Sequence, residues 1–271
     1  TDSFHTAEEA DMIALQPHQM SMIADWYADS DETLILSCLQ GYMGKAWVDA
    51  LPEPTSAVVV TGDLCFPAGV PSVCILTEMA AFFADRQLFV VPGTPQWEAP
   101  IEQVYAGRFD RFMRYAIRKE PGVFNRGKLQ TYVDALPVGY SLRRIGSEEY
   151  HLVLQNPWSR DFVSLYADEA DYLANGLGWV VLHDGEIVSG ASSYSSYRGG
   201  IEIQIDTRFD HRRKGLARVC GARLILDCLD RGLYPSWDAA NRESVALSEQ
   251  LGYHFSHEYV TYAVPSEVET T

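Results

Sequence analysis

The sequence has no run of about 18 apolar residues, so no membrane span is expected. No basic stretch followed by an apolar one opens it, and nothing there reads as a secretion signal. The five cysteines, Cys38, Cys65, Cys74, Cys220 and Cys228, form no CxxC pair. An odd count at wide spacing argues against a disulfide framework and a zinc site. The seven histidines lack metal-ligand spacing, so no metal is expected. A reducing cytoplasm is the expected compartment. Positive charge is scarce: 21 Lys and Arg stand against 37 Asp and Glu, for a formal net charge of −16. So little basic surface cannot displace many counterions, which argues against a nucleic-acid partner. What is abundant is apolar: 47% of the 271 residues are hydrophobic, enough for one large or two small cores.

The few basic residues cluster where they matter. Arg212-Arg213-Lys214-Gly215-Leu216-Ala217 lies between an alternating stretch, Ile201 to Thr207, and an apolar run from Leu216 to Leu229. A strand, a basic glycine-containing turn and a helix start make a site for a pyrophosphate. Backbone N–H groups at a helix N-terminus point at the anion, and the helix dipole favours it. Gly215 allows close backbone approach.

Periodicity and turn signals give a mixed pattern. Thr6-Ala7-Glu8-Glu9 reads as a capping box, and Asp31–Gln40 as a helix stopped by Gly41. Ala57–Val60 and Leu64–Phe66 read as strands around a Gly62-Asp63 turn. Val73–Ala84 reads as a buried helix, and Leu88–Val91 and Arg111–Lys119 as strands. The second half continues with a strand at Ser141–Ile145, helical pieces near 161–165 and 169–174, and a hairpin around Asp184-Gly185. Strand 201–207 and a helix ending at Gly232 follow. Tyr234–Asp238 then reads as a strand, Asn241 starts a helix ending at Gly252, and His254–Val264 is the last strand. Cys220 and Cys228 fall eight apart in a helical pattern and read as core. The class is α/β, with mixed sheets and helices on both faces.

The halves look related. Ala57–Gly69 parallels Val180–Gly190, Pro95–Ala99 parallels Pro235–Ala239, and Arg114–Ile117 parallels Val260–Ala263. On this alignment the first half lacks the strand and the basic turn of the second. Trp97 and Trp237 fall at matching positions and read as core anchors. Two domains of one ancestry are expected, 1–136 and 137–271, the first a degenerate copy.

Arg212-x-x-Gly215-x-Ala217 resembles the acyl-CoA signature of the GCN5-related N-acetyltransferases (GNAT), Q/R-x-x-G-x-G/A. Asn241-x-x-Ser244, running to Gly252-Tyr253, resembles the family's second element at the expected spacing. Longer phrases, Ile187–Tyr194, Ile201–Thr207 and Tyr234–Ala239, resemble the zwittermicin-resistance type of acetyltransferase. The resemblance implies tandem GNAT-like domains, acetyl-CoA as co-substrate and, as acceptor, a cationic amine-bearing small molecule or peptide antibiotic. It implies that the backbone of Ile205 and Thr207, with Asp206 between them, binds the pantetheine arm. The turn Arg212, Arg213, Lys214, Gly215, Leu216 and Ala217 would hold the pyrophosphate, with the Arg212 side chain either on the ligand or turned away. Asn241, with Ser244 in its motif, either caps its helix or bonds the cofactor arm.

Acetyl transfer needs an amine deprotonated before attack and a thiolate protonated as it leaves. Ser248 stands where the family often has a tyrosine acid, and a serine is a poor acid. Family bases lie on the strand before the turn, on the face that alternation gives to Ile201 and Ile203. Glu202 is one residue off that face, and a bulge would bring it in. Asp238, at the end of a short strand, is a candidate amine anchor. Tyr253 reads as core, and His211 as exposed. The reading is a primary-amine N-acetyltransferase acting in antibiotic resistance. Alternatives are a non-catalytic acetyl-CoA-binding module and an enzyme acetylating a protein or another small amine.

Overall fold

The structure, a computed structural model, describes residues 12–267, and the capping box expected at Thr6–Glu9 lies outside them. Contacts divide the chain into two compact units, Thr1–Phe112 with Val260–Thr271, and Met113–Tyr259. No helix among the described residues is long and apolar enough to cross a membrane. All five cysteines are free, and Cys220 and Cys228 are buried as the pattern implied.

The first unit holds β1 (Ile13–Ala14), α1 (Thr33–Leu39), β2 (Lys45–Val48), β3 (Ser56–Thr61), β4 (Leu64–Gly69), α2 (Val73–Phe82), β5 (Leu88–Val90), α3 (Glu98–Val104) and the start of β6 (Asp110–Ile117). Antiparallel pairing joins β2, β3 and β4. The β3–β4 hairpin turns at Gly62, whose φ of +65° suits the left-handed position. β5 lies parallel to β4, with α2 as the crossover. Residues 262–264 of the last strand pair antiparallel with β5. Val58, Ile75, Met79, Trp97 and Tyr262 belong to one buried core.

The second unit holds the rest of β6, α4 (Arg126–Asp134), β7 (Tyr140–Arg144), α5 (Ser147–Leu154), α6 (Glu169–Asn175), β8 (Gly178–His183), β9 (Glu186–Tyr197), β10 (Gly200–Thr207), α7 (Leu216–Asp230), β11 (Tyr234–Ser236), β12 (Asp238–Ala239), α8 (Arg242–Leu251) and the first half of β13 (Phe255–Val264). Its sheet runs β11-β10-β9-β8-β7, antiparallel except for the β10–β11 pair. Ile201, Ile203 and Ile205 turn one face of β10 into the core that also holds Leu216, Cys220 and Leu224 of α7. On the other face, Phe162 from a short 3-10 turn packs at Gly190. A Cβ there would come within 2.5 Å of that ring. Helices thus cover both faces, and the α/β class with two mixed sheets holds.

Two sequence readings change. The division placed after Leu136 puts α4 in the N-terminal domain, whereas α4 packs on α7 within the second unit. The Pro-x-Trp match is not structural either. Pro95–Trp97 is a 3-10 turn entering α3, while Pro235 and Ser236 lie in β11. Trp97 and Trp237 are both buried, but at unrelated places. By topology the counterpart of β10–α7–β11 is β4–α2–β5, each a parallel crossover. The first half therefore has its strand, and only the basic turn is missing.

Candidate active site

The site is built along the outer edge of β10. β11 pairs with β10 only from Gly200 to Glu202, opposite Tyr234 to Ser236. The chain then leaves, and β12 pairs with β6 instead. β10 itself continues to Thr207. The Thr207 N–H donates to Asp206 Oδ1 (2.7 Å), and its carbonyl accepts from Arg212 Nε (3.0 Å). Both bonds lie outside the ladder with β9, so alternation directs the backbone groups of Ile205 and Ile203 to the same outer edge. The open stretch from Glu202 to Thr207 spans about 17 Å. The outward backbone of Ile205 thus has no strand paired with it among the described residues, whereas that of Thr207 is bonded by its own neighbours.

That edge leads to the basic turn. Gly215 is the N-cap of α7 at φ +79°, and no side chain caps the helix. The first N–H groups of α7, from Leu216 and Ala217 onward, therefore face outward without a cap. Arg213 also adopts a positive φ of 61°, a strained conformation for a residue with a Cβ. The three basic residues divide their roles. Arg212 turns back, donating to the Thr207 carbonyl and, at 3.4 Å, to Asp206 Oδ1, so its side chain braces the strand end. Lys214 donates to the Tyr140 hydroxyl at 3.2 Å. The Arg213 side chain is exposed.

His211 was expected to be exposed. It is buried, with Nδ1 2.9 Å from the Tyr140 hydroxyl. Burial, reinforced by the Lys214 charge, lowers its pKa. Nothing near His211 in sequence announces Tyr140, the partner that covers it.

At the other end lies a polar row across three strands. Ser195 of β9, Glu202 of β10 and Ser236 of β11 are register partners, so their side chains share one face. They are 0%, 6% and 0% exposed. Tyr197 reaches across Gly200, where a Cβ would lie 2.3 Å from its hydroxyl, to meet Ser236 Oγ at 2.7 Å. Burial pushes the Tyr197 hydroxyl up to about 12, and the Glu202 charge adds to the rise. The face expected to bear the base, that of Ile201 and Ile203, is filled by α7. Glu202 occupies the opposite face without a bulge in its own strand. The irregularity is on β9, where Glu202 pairs with Ser195 and Ile203 with Ser193, leaving Tyr194 as the extra residue.

The remaining candidates are engaged elsewhere. Asp238 Oδ1 accepts from Arg114 Nε (2.9 Å) and Nη2 (2.6 Å), and Oδ2 accepts from the Tyr259 hydroxyl (2.7 Å). Burial raises the Asp238 pKa, and the Arg114 guanidinium opposes that rise. Both oxygens are held, and the carboxylate already has a cation as its partner. Ser248 is fully buried and donates to the Val245 carbonyl of its own helix (2.8 Å). Its proton is thus turned into α8. Asn241 is the N-cap of α8, accepting from the Ser244 N–H at 2.9 Å, and Ser244 Oγ accepts from Trp237 Nε1. Tyr253 is core, as read, with its hydroxyl on the Pro235 carbonyl.

The chain is similar to a GCN5-related N-acetyltransferase-like protein from Streptococcus suis, at 43% identity and a TM-score of 0.86, over 91% of this chain and 98% of that one. It is 29% identical to the uncharacterized N-acetyltransferase YdfB of Bacillus subtilis over 66% of this chain and 67% of that protein. A tandem GNAT protein from the clavulanic acid biosynthesis pathway shares the fold at 13% identity, with a TM-score of 0.57 over 94% and 98% of the two chains. Residues 21–262 match the GNAT acetyltransferases, and the chain belongs to that family as an N-acetyltransferase.

Proposed function

We propose that the second unit transfers an acetyl group from acetyl-CoA to a primary amine, with Glu202 as the proton acceptor. One observation carries the reading: an open strand edge runs from an uncapped helix N-terminus to a buried carboxylate. The α7 N–H groups and the exposed Arg213 suit a pyrophosphate. The outward backbone of Ile205 and Ile203 suits an amide-bearing arm. Acetyl-CoA supplies an activated acyl group when bound. Glu202 is the one carboxylate in the polar row at the far end, placed to take a proton from an amine. Asp238 and Ser248 have structural duties in this reading.

The acceptor class we favour is a cationic, amine-bearing antibiotic. Its support is the excess of acidic residues, which attracts cations, together with the sequence phrases that resemble the zwittermicin-resistance type. The test is thiol release from acetyl-CoA, with mass spectrometry of the products, using a cationic peptide antibiotic, an aminopolyol and a protein extract. One added acetyl group on an antibiotic is expected. Acetylation confined to the protein extract would reject the antibiotic class. Glu202→Gln should lower kcat roughly 10²- to 10⁴-fold while leaving acetyl-CoA binding intact.

A further inference from the structure

Within the polar row, the hydroxyls of Tyr197 and Ser236 bond each other. Ser195 differs. It is fully buried, and its Oγ has no hydrogen-bond partner among the described residues. Buried hydroxyls are nearly always paired, because losing water without a replacement is unfavourable. Ser195 stands directly across the β9–β10 ladder from Glu202. Opposed side chains in such a pair have Cβ atoms about 5 Å apart, close enough for two acceptors to converge on one small group. The bulge at Tyr194 produces this opposition, because it shifts the register of β9 between Ser193 and Ser195.

We infer that Ser195 positions the acceptor amine, its Oγ accepting an N–H of the nitrogen whose proton goes to Glu202. The inference rests on the acetyltransferase reading above and adds to it a second contact on the nucleophile. A primary ammonium gives one proton to the Glu202 carboxylate. The nitrogen then forms the C–N bond to the acetyl carbon as the C–S bond breaks, and the proton that nitrogen sheds in becoming an amide goes to the departing sulfur. One N–H remains on the nitrogen throughout, and it is this hydrogen that Ser195 holds. The contact orients the amine and acts on attack by nitrogen alone, since water entering the site is not bound to carbon in one fixed direction.

The experiment uses the full chain, acetyl-CoA and a panel of polyamines, an aminopolyol and a cationic peptide antibiotic, with thiol release followed with and without amine. Ser195→Ala should lower amine-dependent kcat/KM roughly tenfold, the size of one lost hydrogen bond to a reacting group. Amine-independent release and acetyl-CoA affinity by calorimetry should be unchanged. Ser195→Thr, which keeps the hydroxyl, should recover most of the loss. Removing a hydroxyl that bonds nothing in the protein should leave the melting temperature of Ser195→Ala at or above that of the unaltered chain. Amine turnover in Ser195→Ala equal to that of the unaltered chain, or a fall in its melting temperature, would overturn the inference and leave the acetyltransferase reading standing. No amine-dependent release from the unaltered chain across the panel would overturn the amine-acceptor reading, and this inference with it.

Discussion

The two parallel crossovers, β4–α2–β5 in the first unit and β10–α7–β11 in the second, share a topology and differ in what closes them. In the first, the turn after β4 is partly closed by its own contacts. The Val70 N–H donates to the Thr55 carbonyl (2.8 Å), Pro71 has no N–H, and Ser72 caps α2 by accepting from the Ile75 N–H (3.4 Å). The strand edge is closed as well. Pro67 has no donor, and Gly93 passes so near that a Cβ would sit 3.2 Å from the Pro67 carbonyl. In the second, Gly215 offers no cap, and β12 pairs with β6, leaving the edge of β10 clear. A parallel crossover supplies the splayed edge, but a binding site arises only where the chain leaves the backbone donors free. The first unit spends them on itself, and one acetyl-CoA per chain is the expectation.

The largest effect should come from what keeps the edge clear. Arg114 and Asp238, with side chains 14% and 16% exposed, pair across β6 and β12. Arg114→Ala leaves a carboxylate buried without its guanidinium and should lower stability by roughly 3–5 kcal/mol in chemical denaturation. A loss under about 1 kcal/mol would mean that the pair behaves like a surface one and does not hold β12 in place. Next comes the cap. Gly215→Val has room, since the nearest atom to its Cβ is Arg218 Nη2 at 3.6 Å, but φ is +79°. It should reduce stability by about 1–2 kcal/mol. Re-forming the turn should weaken acetyl-CoA binding at least about tenfold, as read by calorimetry. Unchanged affinity would show that the α7 N-terminus does not hold the ligand.

The contrast was partly legible in sequence. Local chemistry was readable where one residue type settles the matter. Asn241 caps α8, one of the two roles open to it, and Gly252 ends the helix at φ +113°. β10 was legible because Ile201, Ile203 and Ile205 alternate against one helix. Residues whose roles depend on distant partners were not. Asp238 reads as a free anchor until Arg114, 124 positions away, takes its carboxylate. His211 sits among charged neighbours and reads as exposed until Tyr140, 71 positions away, covers it. The repeat alignment failed because matched letters in Pro-x-Trp outweighed the order of strand, helix and parallel strand. The polar stretch Ser192–Ser196 reads equally as a cleft lining or an exposed strand face, and only register with Glu202 across a bulge singles out Ser195 within it.

A smaller effect tests the closed crossover. Ser72→Ala removes the α2 cap and should lower stability by about 1 kcal/mol. Stoichiometry by calorimetry should stay at one acetyl-CoA per chain, because Pro67, Pro71 and the close approach of Gly93 still close the edge. A second binding event in Ser72→Ala would mean that the cap alone separates the two units.

The smallest expected effect is a slope. Lys214 donates to the Tyr140 hydroxyl, so the Tyr140 proton turns toward His211 Nδ1, which must accept. That requires a neutral imidazole, in keeping with a pKa lowered by burial and then by the Lys214 charge. Asp210 opposes the shift, while Arg208 and His183 add to it. The folded chain therefore binds this proton less readily than the unfolded one. The stability it contributes is present above the ordinary histidine range and is lost as pH falls through about 6.5 and below. His211→Gln keeps an acceptor for Tyr140 and cannot titrate, so its stability should fall less steeply between neutral and mildly acidic pH. Protonation also reverses the Tyr140 hydroxyl and brings a second cation beside Lys214, at the turn proposed to hold the pyrophosphate. Acetyl-CoA affinity in the unaltered chain should therefore depend on pH in this range more than it does in His211→Gln, and parallel affinity profiles for the two chains would disconnect the histidine from the turn.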